Sequence, residues 1–454
     1  MPWGSKMDTP ICDFVRDYAE RQSLRLHMPG HKGIHFLGME QLDITEVTGA
    51  DSLYEADGII ARSEENASRL FGCRTFYSTE GSSQCIRAML YLAMIHAKGQ
   101  GKAPRIAAGR NVHKTFLTAA ALLDLEVDWL YPGAKTGYLS CDLTPRELED
   151  YLSSSEEMPT AVYLTSPDYL GNIVDIRNLA EVCHRHDVLL LVDNAHGAYL
   201  RFLPESRHPM DLGADLCCDS AHKTLPVLTG GAYLHLSKQM DRLVGDQAKN
   251  ALMIFGSTSP SYLILQSLDG ANSYLQDYPQ RLSAFIHEVE KLKDRLTSHG
   301  YTLYGQEPLK VTIEAKPFGY TGCQLAAFLR EREMEPEFAD RDHLVLMLTL
   351  ELGEEALERV GDTLCQLPRL EAITEQAPTF AAPRQAMSIR EAMLSPAESV
   401  SVENSVGRIL AVPSVGCPPA VPILVCGEVI DDHAAACFQY YGIDRCWVVK
   451  RGVK

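Results

Sequence analysis

Apolar residues in the first two thirds of the chain come in short runs, and between the runs they recur at helical spacing. The stretch SSQCIRAMLYLAMIHAKG (82–99) places Ile86, Met89, Leu90, Ala93 and Met94 on one stripe, which predicts a helix. RIAAG (105–109) and VDWLY (127–131) read as short strands, and TAVYLTSP (160–167) as a strand ending at Pro167. RNLAEVCHRHD (177–187) reads as a helix and VLLLVDNAHG (188–197) as a buried strand with a polar end. ADLCCDS (214–220) and GAYLHL (231–236) follow as strands, so that DSAHKTLPVLTGGAYLH (219–235) reads as strand, turn, strand. Short apolar strands alternating with helices predict βαβ units and a largely parallel sheet, an α/β domain over about 46–270.

The flanks have a different texture. Residues 1–45 read as an arm, with a short helix (DFVRDYAERQ) leading into the Gly/Pro/His-rich loop LHMPGHKG. From about 271 to 375 a long amphipathic helix (282–300), a strand (HLVLMLTL, 343–350) and a helix (354–367) predict a smaller α+β domain. An Ala/Pro-rich linker (375–386) precedes a Pro-dense C-terminal domain, 387–454. The net charge of −18 over 454 residues argues against nucleic-acid and anionic-membrane partners, which favour basic patches. The 13 cysteines form no framework and no C-x-x-C pair, the pattern of reduced thiols. The N-terminal residues lack a signal peptide's apolar core and the apolar runs are too short to span a bilayer, so a cytoplasmic protein is expected.

Chemistry concentrates where the apolar runs stop. In parallel sheets ligands bind outside the carboxyl ends of the strands, and Asp193, Ser220 and Lys223 sit at such ends. Lysine is rarely buried fully, so Lys223 either escapes to solvent or is held there to react. Pyridoxal 5'-phosphate (PLP) makes demands that these residues meet. Its aldehyde needs a lysine amine, here Lys223, and its pyridine nitrogen a carboxylate, here Asp193. Its phosphate needs N–H groups at a helix N-terminus, which Gly81, Ser82 and Ser83 in STEGSSQ (78–84) can supply. Its ring face needs a flat group, for which His113 in GRNVHKT is the candidate. Singly, each has an ordinary explanation: a surface lysine, a capping aspartate, a serine-rich N-cap, a loop histidine. Their order on an alternating α/β pattern selects the cofactor reading.

With these residues in place, the chain resembles the Orn/Lys/Arg decarboxylases of PLP fold type I, particularly the shorter bacterial members. LHMPGHKG (26–33), DITEVTGADSLYEADGII (43–60), RNVHKT (110–115), TSPDYLGNIVDI (165–176), VDNAHGAYL (192–200), DSAHKTLPVLTGGAYLH, STSPSYLILQSLD (257–269) and CPPAVPILVCGE (417–428) match in order. The resemblance implies an aspartate aminotransferase-like large domain, a smaller α+β domain and a C-terminal decarboxylase domain. It implies decarboxylation of lysine, arginine or ornithine to the corresponding amine and CO2. It would make Lys223 the imine former, with Asp193 at the ring nitrogen, His113 stacked on the ring and His196 near the phenolic oxygen. Ser82, Ser83, Ser220 and His222 would surround the phosphate, joined by Ser257 or Thr258 of a second copy in a homodimer or a multiple of it.

The substrate's distal cation needs an acidic partner. Glu428 is the candidate, ahead of Asp51 and Asp168. The chain departs from the family pattern at Asn194, where Glu is usual, at Tyr199, where His is usual, and at Cys417 and Cys426, which replace Tyr and Pro. Glu80, Tyr54 and Glu55 are further departures. Two other readings stay open on the sequence: an aminotransferase or lyase of the same fold, and a catalytically silent PLP-binding homologue. The sequence does not choose among the three basic amino acids.

Overall fold

The structure, a computed structural model, describes residues 7–131, 137–413 and 421–452. In chain order the strands of the N-terminal part are β1 (Arg74–Ser78), β2 (Arg105–Gly109), β3 (Glu126–Leu130), β4 (Ala161–Thr165), β5 (Leu189–Asp193), β6 (Leu216–Asp219) and β7 (Ala232–Leu236). Those of the C-terminal part are β8 (Thr302–Tyr304), β9 (Lys310–Glu314), β10 (Phe338–Ala339), β11 (His343–Met347), β12 (Ala397–Ser401) and β13 (Arg445–Val449). The chain divides into two compact units: Met1–Ala103 with Leu189–Ser283, and Pro104–Val188 with Ala284–Lys454.

In the first unit the strands run β1-β7-β6-β5. β5 and β6 are parallel, and β7 is antiparallel to both of its neighbours. All five residues of β5 (LLLVD) are buried, as a strand covered on both faces requires. The helix Ser82–Gly99 packs on β5, β6 and β7 and, on another side, on the helix Ala248–Ile254. Being covered twice, it buries Cys85, Ala88, Leu92 and Ala97 beyond the single predicted stripe.

In the second unit the order is β4-β2-β3, all parallel. The same unit holds a separate antiparallel sheet, β10-β11-β9-β8. The C-terminal residues build a two-stranded sheet, β12-β13, beside the helix Asp432–Tyr440. Leu410, Ile423, Leu424, Ile430, Phe438 and Val448 give that region its own core. No helix among the described residues is long and apolar enough to cross a membrane.

The sequence expectation fails in one informative place. Residues 219–235 do not run strand, turn, strand: after β6 the chain makes one helical turn, Ala221–Thr224, and reaches β7 through a loop. Backbone bonds hold that turn, Lys223 N donating to Ser220 O and His222 N to Gly231 O. Gly230 closes the loop at φ +100°, and a Cβ there would meet the Thr79 carbonyl at 3.0 Å. Only glycine allows this close approach, which is locked by Gly81 N donating to Gly230 O at 2.7 Å.

Candidate active site

The helical turn after β6 carries Lys223 with its side chain half-buried. Lys223 Nζ lies 2.9 Å from His196 Nε2, a residue of the loop that follows β5. Asp193 ends β5 and is 2 % exposed; its Oδ1 accepts from Ala195 N and from Cys218 Sγ. Parallel pairing of Asp193 with Cys218 brings the polar ends of β5 and β6 to one edge. An amine, an imidazole and a buried carboxylate are thereby assembled from two neighbouring strand ends.

The cradle beside them comes from a third segment. Ser220 Oγ donates to Ser82 Oγ at 2.7 Å, joining the β6 turn to the start of the helix Ser82–Gly99. Gly81, the N-cap, takes φ +71° and offers no side chain to the helix end, so this 18-residue helix is uncapped by any side chain. A Cβ at Gly81 would meet nothing nearer than Ser83 N at 4.0 Å, leaving open space in front of the first turn. An uncapped helix N-terminus flanked by two hydroxyls is suited to a phosphate. With Lys223 and Asp193, these residues fit the group expected from the sequence. His222 fits less well. Its Nδ1 faces the Gly231 carbonyl at 3.0 Å and so carries the proton, and burial lowers its pKa. With the proton on Nδ1, Nε2 of the neutral ring is an acceptor and cannot donate to an anion. Ser257 and Thr258 lie in an exposed turn, where Ser259 N donates to Ser257 Oγ.

The sequence reading missed the residue just before Ser220. Asp219 is fully buried, and its Oδ2 accepts from His208 Nε2 and His235 Nε2, each at 3.0 Å. Its Oδ1 accepts from Asn194 Nδ2 at 2.7 Å. Met210 N donates to His208 Nδ1, so His208 is the neutral Nε2–H tautomer. His235 Nδ1 sits 2.9 Å from Thr75 Oγ1 and 3.6 Å from Cys73 Sγ. Burial pushes the Asp219 carboxyl up, yet His208 and His235 together outweigh it and hold it well below the usual carboxylate range. Burial likewise opposes charge on His235, and the Asp219 charge reverses the sign and raises its pKa. This buried carboxylate–imidazole cluster thus pins the end of β6. The histidines lie 11 and 16 residues from the aspartate, so no local motif announces the cluster.

The remaining candidates are each held within their own unit. Asp51 caps the helix Ile59–Phe71, accepting from Gly58 N at 2.9 Å and Ile60 N at 2.8 Å. In the second unit Asp168 folds its own loop, accepting from Leu170 N, Asn172 N and Ser140 Oγ. Both are occupied as structural acceptors. His113 is the N-cap of the helix Lys114–Leu123, with Nδ1 accepting from Thr115 N at 3.2 Å. Glu428 also departs from expectation. Its Oε2 is 2.8 Å from Arg110 Nη2 and accepts from Val425 N, with the carboxylate 1 % exposed. Burial raises its pKa against the pull of Arg110. The reason is Arg110 itself: a guanidinium 2 % exposed requires an anion, and Glu428 supplies it. Cys417 lies outside the described residues.

Comparison with known proteins places these residues in a wider setting. The profile of the Orn/Lys/Arg decarboxylase major domain matches residues 9–312, and that of the Orn/Lys/Arg decarboxylase C-terminal domain matches 369–447. The chain is 30% identical over 452 residues to the uncharacterized protein YaaO of Bacillus subtilis, covering 93% of this chain and 92% of that one. It is 28% identical over 466 residues to an arginine decarboxylase of the same organism, covering 94% and 92% of the two chains. The crystal structure of the Francisella novicida lysine decarboxylase LdcF superposes with a TM-score of 0.78 at 16% identity, over 97% of this chain and 81% of that one. The constitutive lysine decarboxylase of Escherichia coli gives 0.77 at 17%, over 98% and 82%.

Proposed function

The chain belongs to the Orn/Lys/Arg decarboxylase family, and from that premise we propose that it removes the α-carboxylate of arginine, using PLP held by Lys223. It is an amino acid decarboxylase acting on a basic substrate. Arginine is put first because the relatives named arginine decarboxylase match over more than nine tenths of this chain. The constitutive lysine decarboxylase of E. coli matches over 63% of it and 44% of its own length. Lysine and ornithine are the alternatives, since the chemistry at Cα is the same for all three.

The observation that carries the reading is the 2.9 Å contact between Lys223 Nζ and His196 Nε2 at the joined ends of β5 and β6. A free lysine titrates near ~10.4 and is a weak nucleophile while protonated. His196 Nε2 stands where it could take up a proton from Lys223 as the imine forms. Asp193 would face the ring nitrogen as a buried carboxylate, and His113 would lie against the ring. Gly81, Ser82, Ser83 and Ser220 would hold the phosphate, with His222 joining as a donor only when protonated. Once bound, PLP supplies the electron sink for the pair released as CO2 leaves. Shielding the substrate carboxylate from water favours its departure as a neutral molecule. Lys223 Nζ or a histidine beside it would then supply the proton that takes the place of the lost carboxylate at Cα.

The test is incubation of PLP-loaded protein with arginine, lysine and ornithine, with agmatine, cadaverine and putrescine read by mass spectrometry. Agmatine alone is expected. Putrescine or cadaverine in its place would move the substrate assignment. Release of a keto acid from the same incubation would replace decarboxylation by transamination.

We read the domains as an arm (1–45), a PLP-binding large domain (46–270), a small domain (271–375) and a C-terminal domain (387–454). The arm exposes Leu24, Leu26, Ile34, Phe36 and Leu37, each more than 70 % accessible. Apolar surface of this extent on one segment marks an association site. We assign it to a second copy of the chain, with Ser257 and Thr258 of the exposed turn reaching that copy's phosphate. Leu26→Ser with Phe36→Ser is expected to convert dimer to monomer in sedimentation velocity and to lower activity. A variant that sediments as a dimer would remove the arm from the interface.

A further inference from the structure

We propose that Glu428 is a positioning residue: through Arg110 it fixes the turn that presents His113. The inference rests on the reading of His113 as a cofactor-facing residue. Arg110 leaves the end of β2 and stands three positions before His113, with the fully buried Val112 between them. Its guanidinium is gripped from several directions. Nη2 meets Glu428 Oε2 at 2.8 Å and the Ile423 carbonyl at 3.3 Å, and Nη1 donates to the Pro422 carbonyl at 3.2 Å. Trp129 of β3 and Phe380 of the linker cover it at 5.2 and 5.6 Å from their ring centroids. Its own backbone N donates to the Leu130 carbonyl.

Both carbonyls on the guanidinium come from 422–423, and the carboxylate from 428. The C-terminal domain therefore holds the start of the 110–113 turn, and the N-cap bond of His113 to Thr115 holds its end. A turn pinned at both ends gives the imidazole one orientation. A pair this deeply buried is costly to assemble and costlier to break from one side, so it keeps the turn in a single state. Glu428 Oε1 accepts no hydrogen bond among the described residues. That oxygen is what a substrate cation would use, and the experiment separates the two roles.

Full-length Glu428→Gln is compared with wild type by hydrogen exchange without cofactor, and by kinetics with it. Amides of 110–116 are expected to exchange about tenfold faster, while β9 and β11 keep wild-type rates. kcat is expected to fall about tenfold to a hundredfold with KM nearly unchanged, as for a displaced catalytic group. In a His113→Ala background the same substitution is expected to change kcat by less than about twofold, because the two act as one unit. Arg110→Met with Glu428→Met removes both charges, avoids an unpaired buried ion, and is expected to repeat the exchange and kcat effects. Unchanged exchange at 110–116 with a raised KM would overturn the proposal and make Glu428 a substrate ligand. Losses that multiply in the His113→Ala background would equally overturn it. Should wild type form no amine, the decarboxylase reading fails, and the exchange measurement still decides the latch.

Discussion

Lys223→Ala is expected to form no detectable amine, a loss of about a thousandfold or more, because no neighbouring group can replace a covalent amine. Lys223 stands at a turn that one hydrogen bond to His196 orients and one glycine closes. Borohydride reduction of PLP-loaded wild type should leave a pyridoxyl mass on the peptide containing Lys223, and none in the variant. The stability of the variant should change little, since the side chain is half-buried and its turn is held by backbone bonds. A variant that keeps even a tenth of the wild-type rate would place the reactive amine elsewhere.

The second large effect is on stability. Asp219→Ala is expected to cost about 3–5 kcal/mol, the range for breaking a buried charge pair from one side. It leaves His208 and His235 facing a void with their Nε2 protons unclaimed. The pH dependence follows from the two shifts. His235 has a raised pKa in the fold, so its contribution is complete below the unfolded value near ~6.5 and is lost as pH climbs through the folded value. Asp219 has a lowered pKa, so its contribution is complete above the unfolded value near ~3.9 and is lost as pH falls through the folded value. Wild-type melting temperature should therefore decline as pH rises above about 6.5, and more steeply than that of Asp219→Ala. Parallel slopes would show that His235 carries no charge in the fold.

The alternation of apolar runs with helical stripes foretold the parallel strands and most helices because each is a local pattern, one buried strand or one covered face. The sequence pointed to Lys223, Asp193 and Ser220 for a related reason, since a polar residue at the end of an apolar run is visible without knowing its neighbours. Three things were not legible. The helical turn Ala221–Thr224 is stabilised by Gly230 and Gly231, which lie beyond it in the chain. The Asp219 cluster and the Arg110–Glu428 pair join residues far apart, and the latter spans 318 positions. The small strands and helix of 387–454 are too short and too Pro-dense to carry a period. Glu428 illustrates the cost: its position in the family-like string suggested a ligand for substrate, whereas its nearest cation is one the chain itself supplies.

The 2.7 Å bond between Asn194 and Asp219 bears on how relatives of this chain are compared. The family pattern usually carries glutamate at position 194, and here a neutral amide stands there while the next strand end carries the acid. A glutamate at 194 would bring a second carboxylate against Asp219, and two such groups cannot both ionise at that distance. In this chain positions 194 and 219 therefore have to be read together. Any graft from a relative has to exchange both residues together.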